Sequence, residues 1–139
     1  MRSNSFLSAI LTLTLLAGTS CRTVGVTREV SGFAEVSPSV AHEMILDNAQ
    51  LVVLDIRDGQ SYSKQHIAGA ISTPLESIEM RLPELLPYTS TTVLIYGGNN
   101  EESRRGARIL VAAGFRNVVR IAGGLPRWIQ RGYPTVGPG

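Results

Sequence analysis

One cysteine, one lysine and two histidines are all that the 139 residues contain of these types, and each scarcity removes a class of chemistry. A single thiol excludes an intramolecular disulfide and a cysteine-rich zinc site, and two histidines leave a metal centre few ligands. No metal and no cofactor are therefore expected. Lys64 is joined by twelve arginines, but these are scattered from Arg2 to Arg131 and face 11 acidic residues, for a formal charge of +2. With no basic block, nucleic-acid binding is not expected. No stretch reaches eighteen consecutive apolar residues, so a spanning helix is not expected either. The length suits one domain and leaves no room for a second sizeable core.

The longest charge-free apolar stretch, residues 6–18, follows Arg2 and reads as the h-region of a signal peptide. The small residues Ala17, Gly18, Thr19 and Ser20 then lead to Cys21, the only thiol. This run resembles a bacterial lipoprotein cleavage box, in which the cysteine is acylated and the chain is cut just before it. Gly18 stands where such boxes usually have leucine, so the match is to a permissive form. The alternative is an ordinary secretory cut near Ala17. On the lipoprotein reading, residues 1–20 are a signal peptide, residues 21–35 a lipidated tether, and residues 36–136 the folded domain. The mature chain then carries a charge of only +1. Acyl chains such as palmitate contribute about 0.8 kcal/mol per buried methylene, enough in combination to hold the domain at a membrane. In a Gram-negative cell Arg22 favours the outer membrane, facing the periplasm, because aspartate at that position often marks retention at the inner one. A protein partner is a further expectation, of unknown identity.

Within the domain, Ser37 and Pro38 form a helix start, with Val40, Ala41, Met44 and Ile45 on one face. Residues 51–54 and 92–96 are continuous apolar runs suited to strands buried on both faces, and residues 118–121 form a third. A helix is expected over residues 101–113, closed by Gly114 with Phe115 as its hydrophobic clamp. Residues 71–72 suggest a further strand, residues 75–86 a helical segment broken at Pro83, and a final short helix carries Trp128. This alternation specifies a small single α/β domain with a central parallel sheet flanked by helices. Ligands of such sheets bind beyond the C-terminal strand ends, here Asp55 to Arg57, residues 97–102, and Gly123 with Gly124.

Three motifs in order carry a family resemblance. Asp55-Ile56-Arg57 resembles the Asp-Val-Arg strand end of rhodanese domains. Tyr62 and the segment from His66 to Ala70 resemble the family's Gly-His-Ile-Pro-Gly-Ala turn. Gly123-Gly124-Leu125, Trp128 and Gly132-Tyr133-Pro134 resemble its closing signature. The resemblance implies a rhodanese-like fold over most of the mature chain, and a site loop after the central strand whose cysteine would carry persulfide sulfur. Aligned without a gap, Tyr96 and Ser103 match that loop, but Gly97 stands at the cysteine, Gly98 at the first arginine, Asn100 at the glycine and Glu102 at the second arginine. The loop Gly97, Gly98, Asn99, Asn100, Glu101, Glu102 and Ser103 therefore looks like a degenerate active site, flanked by Asp55 and Arg57.

Sulfur transfer needs a thiolate, which Gly97 cannot supply, and Cys21 lies beyond the tether. The leading expectation is a catalytically inactive, sulfurtransferase-related domain that binds or scaffolds. An enzyme of another kind on the same fold, hydrolytic or otherwise, is the alternative, using Asp55, Glu101, Glu102 or Ser103, or a thiol brought by a partner. No base is placed near Ser103. Asn100 is a candidate helix cap; Glu101 and Glu102 either stabilise the helix start through its dipole or bind a cation or amine. Arg57 is expected to pair with Glu101 or Glu102, or equally with Asp55 or Asp58. Arg104, Arg105 and Arg108 read as a solvated helix face rather than a phosphate site. His66 reads as part of a structural turn and His42 as a surface residue. Gly106 reads as a close approach of helix to sheet, and Trp128 with Tyr133 as core and rim packing.

Overall fold

The computed structural model describes the backbone of Thr27 and Arg28 and residues 32–138. Residues 1–20, expected to be a signal peptide, and Cys21 lie outside the described residues. Six strands form one sheet in the order β1-β2-β6-β5-β3-β4. These are β1 (Thr27–Arg28), β2 (Ala34–Val36), β3 (Val52–Asp55), β4 (Ile71–Ser72), β5 (Thr92–Tyr96) and β6 (Asn117–Ile121). Strand β1 pairs antiparallel with β2, and the other five strands run parallel.

The apolar strand runs are explained by helices on both faces of the sheet. Along β5, Val93 and Ile95 pack against Ala107 and Leu110 on one face, while Leu94 and Tyr96 join Ala41, Ile121 and Trp128 on the other. Helix α1 (Pro38–Asp47) begins as the sequence indicates, with the Ser37 hydroxyl accepting from the Val40 N–H. Helix α2 (Gly59–Lys64) is capped by Asp58, and α3 spans Ile78–Leu85. Helices α4 (Asn100–Ala112) and α5 (Gly124–Gln130) follow β5 and β6. Gly114, at φ +96°, ends α4, and the buried Phe115 donates its N–H back to the Leu110 carbonyl. No helix among the described residues is long and apolar enough to cross a membrane.

Four local expectations are corrected. Pro83 lies inside α3 and does not break it; the break falls earlier, where a 3-10 turn at Leu75–Ser77 hands over to the helix. The carbonyl that proline leaves without a donor belongs to the exposed Glu79, where water can serve it. Asn99, not Asn100, caps α4, its Oδ1 accepting from the Glu102 N–H at 2.9 Å. The fold also begins before residue 36, because Phe33 is buried in the core and Ala34 already pairs with β6. His42 is half-buried, stacked on Tyr133 with ring centroids 4.6 Å apart and edge-on to Trp128.

The chain reverses its direction of travel across the sheet between β3 and β5. From β3 it passes outward through α2 to β4, and from β5 it passes the other way through α4 to β6. Asp55 and Tyr96, paired in register, end these two strands at that switch point.

Candidate functional site

Asp55 is fully buried and saturated with donors. The Arg57 N–H and Nε reach its Oδ1 at 3.0 Å each, while Arg57 Nη2 at 2.6 Å and the Tyr96 hydroxyl at 2.7 Å reach its Oδ2. Arg57 Nη2 also donates to the Gln65 carbonyl, and the Tyr96 oxygen accepts from the Ile67 N–H. Of the partners open to Arg57 in the sequence, the structure selects Asp55. Burial works against the guanidinium charge, but the hydrogen bond and charge of Asp55, helped by Tyr96, outweigh it and raise the Arg57 pKa. Burial first, and then the Asp55 carboxylate, push the Tyr96 phenol far above its ordinary 10.0. So engaged, Asp55 is a structural anchor with no lone pair directed at a substrate, which weighs against a catalytic role.

Beyond β5 the loop folds on itself. Glu102 turns back from the first turn of α4, and its Oε2 accepts from the Gly98 N–H at 2.8 Å. A Cβ placed on Gly97 would lie 3.0 Å from both Cβ and Oε2 of Glu102. A side chain at position 97 would thus press against that carboxylate, which would have to give by a few tenths of an ångström. Glu101 diverges from it: its side chain is 68% exposed and faces Arg104 at 3.5 Å. The two glutamates do not act as a pair.

On its other side the loop is clamped to the turn before α5. The Gly97 carbonyl accepts from the Leu125 N–H at 3.1 Å. Gly124, at φ +60°, makes that approach possible, since a Cβ there would overlap the Gly97 carbonyl. Asn100, displaced from the capping role, points its Oδ1 at the Gly123 N–H at 2.7 Å and at Arg120 Nη1 at 3.1 Å. Arg120 is 2% exposed and forms an ion pair with Glu35 on the neighbouring strand. Sequence reasoning passed over Arg120 and Glu35, although a guanidinium in the otherwise apolar run of β6 is the signal that could have found them. The hydroxyl of buried Ser103 points at the Asn99 and Asn100 carbonyls and accepts from Arg120 at 3.4 Å, an arrangement that holds the helix start and leaves no base beside it.

The remaining candidates are structural. His66 stacks on Tyr62 at 3.8 Å with its Nδ1 2.8 Å from the Tyr62 carbonyl, as expected of a turn. Trp128 is buried with its Nε1 donating to the Pro134 carbonyl, and a Cβ on Gly106 would meet Ile95 and Ile56 within 2.9 Å. Among the described residues, no three His, Cys, Asp or Glu side chains are arranged to hold a metal ion. Two hollows flank Arg57 and Gly98. One, of about 410 Å³, runs between the loop, the Asp58 turn and Pro74; the other, of about 480 Å³, reaches Pro126 and Ile129.

Comparison with known proteins agrees with the fold. The family description "Rhodanese-like domain" matches residues 37–131. Thiosulfate sulfurtransferase GlpE of Pseudomonas entomophila is 36% identical over 105 residues, covering 76% of this chain and 92% of that protein. Its counterpart in Actinobacillus pleuropneumoniae is 35% identical over 102 residues, covering 73% and 92%. The crystal structure of the Alr3790 protein from Anabaena sp. superposes with a TM-score of 0.68 at 30% identity, over 73% of this chain and 81% of that one.

Proposed function

The chain belongs to the rhodanese-like family, and from that premise we propose that it is a membrane-tethered, catalytically inactive member acting as a binding or scaffold module. The observation that carries the proposal is the Glu102 carboxylate on the Gly98 amide, lying against the position where the resemblance puts a sulfur-bearing side chain. A persulfide is formed when a thiolate takes sulfur from a donor, and the only thiol of the chain is Cys21. The same carboxylate disfavours the reading in which a partner lends its thiol, because an incoming thiolate would meet a negative charge already seated on the loop amide. The saturation of Asp55 and the helix-start bonds of Ser103 count against a non-cysteine enzyme.

In this reading residues 1–20 are removed, Cys21 is acylated, and the domain works close to a bilayer, at the outer membrane facing the periplasm in a Gram-negative cell. The stretch between Cys21 and Thr27 allows about 20 Å of reach when extended. Mass spectrometry of the mature N-terminus tests the anchor: an acylated cysteine is expected, and a mature chain starting elsewhere overturns it. A thiosulfate-to-cyanide assay on the purified protein tests inactivity, and identification of proteins that copurify in stoichiometric amounts tests the scaffold role.

A further inference from the structure

We propose that the hollow between the loop and the Asp58 turn binds a cationic head on an apolar stem, an alkylguanidinium or alkylammonium of the kind that arginine and lysine side chains present. This deepens the reading of the domain as a non-catalytic binding module, and rests on it. The hollow, at about 410 Å³, falls in the size range of small-ligand sites. Ile56, Pro74 and Leu75 contribute apolar walls suited to a hydrocarbon stem. Three carboxylates, Asp58, Glu76 and Glu102, also line it.

The charge balance decides the sign of the ligand. Arg57 lines the hollow too, but its charge is matched by the buried Asp55 at 2.6 Å. Arg105 then stands as the one cation against three carboxylates, leaving the lining net negative. An oxyanion such as thiosulfate is repelled there, and a cation is attracted. Glu102 spends one oxygen on the Gly98 N–H, and Asp58 accepts from the Ser61 N–H and hydroxyl, but a carboxylate keeps its charge and has lone pairs for further donors. Because the carboxylates are too dispersed for a metal ion, they suit the spread donors of a guanidinium or a mobile ammonium better. The second hollow shares Arg57, Ser61 and Gly98 with the first and adds Leu125, Pro126 and Ile129, a place for the flanking residues of a peptide that carries the cation.

The test is a titration of the full-length protein in detergent with agmatine, and in parallel with a capped peptide holding one arginine between apolar residues, followed by NMR amide shifts. Saturable shifts at Gly98 and Glu102 are expected with both probes. Tighter binding of the peptide identifies a protein side chain as the natural ligand, whereas equal binding identifies a small amine. Glu76→Gln and Glu102→Gln should each weaken binding roughly two- to fivefold, the range for partly exposed ion pairs. Glu102→Gln keeps an acceptor for the Gly98 N–H, so the loop is preserved, and Glu101→Gln should leave binding unchanged. No saturable binding, binding indifferent to both variants, or saturation by thiosulfate instead would overturn the proposal. Thiocyanate formation measured on the same preparation separates the two claims: activity overturns the non-catalytic reading, while absent amine binding without activity overturns only the ligand assigned to the hollow.

Discussion

Restoring a cysteine at position 97 should not restore a reactive thiol. In Gly97→Cys the new Cβ lies 3.0 Å from Glu102 Oε2, so the sulfur falls within about 5 Å of the carboxylate once Glu102 yields by a few tenths of an ångström. Two unit charges at about 5 Å repel by roughly 3 kcal/mol at an effective dielectric near 20; solvent access to half-buried Glu102 reduces this to about 2 kcal/mol. The start of α4 returns only about 0.3–1 kcal/mol to a thiolate. At about 1.4 kcal/mol per pKa unit, the thiol should titrate roughly one unit above free cysteine, near 9.5, and be almost wholly protonated at neutral pH. Replacing the carboxylate as well, in Gly97→Cys with Glu102→Gln, should bring the pKa to or below the free value of about 8.5, since amides then face the sulfur unopposed. The assay is the pH dependence of iodoacetamide alkylation in a Cys21→Ser background, where position 97 holds the only thiol. The double variant should also transfer sulfur from thiosulfate to cyanide faster than the single one. A single variant whose thiol titrates at or below the free value, or a pKa indifferent to residue 102, would refute the electrostatic argument.

Other substitutions probe the scaffold beneath the loop. Tyr96→Phe should cost about 1–3 kcal/mol at neutral pH, because the buried Asp55 and the Ile67 N–H lose a partner. The folded phenol's pKa is raised, so its contribution is full below the ordinary value of 10.0 and is lost as pH climbs beyond it; the urea-midpoint gap between wild type and variant should narrow there, and a constant gap would contradict the assignment. Arg120→Met should destabilise by about 2–3 kcal/mol by stranding half-buried Glu35 and Asn100, and adding Glu35→Leu should recover part of that, whereas a neutral single variant would show that the Arg120–Glu35 pair does not hold the sheet to the loop. Gly124→Ala should cost at least about 1–3 kcal/mol and shift the Gly97 amide, while Gly59→Ala, in open space at the start of α2, should be neutral or slightly stabilising; urea denaturation and an amide correlation spectrum check both.

The backbone was more legible in the sequence than the site. Strands β3, β5 and β6 are short apolar runs that only a sheet covered on both faces can bury, and Ser37, Pro38 and Gly114 mark helix ends through chemistry that acts within a few residues. Gly106 was legible for a similar reason, because a glycine inside a helical pattern signals contact with another layer. Side-chain direction was not. Glu101 and Glu102 are adjacent carboxylates, yet one points to solvent and the other into the loop, since successive helical positions diverge by about 100°. The partners of Asn100 lie twenty or more residues away, on β6 and its following turn, so the choice of Asn99 as cap is settled by tertiary contacts. His42 was hidden likewise, because its stacking partner Tyr133 approaches from the far end of the chain.

At the centre stands the proposal that this rhodanese-like domain does not transfer sulfur, its loop being lined by its own carboxylate in place of a thiol. The most direct measurement is the rate of thiocyanate formation from thiosulfate and cyanide by the purified full-length protein, beside its Cys21→Ser variant. Neither is expected to rise above the rate without protein. Turnover in both would contradict it, since sulfur would then be moving through a chain with no thiol to carry it; turnover only in the protein that retains Cys21 would contradict it equally, by making the N-terminal cysteine the nucleophile.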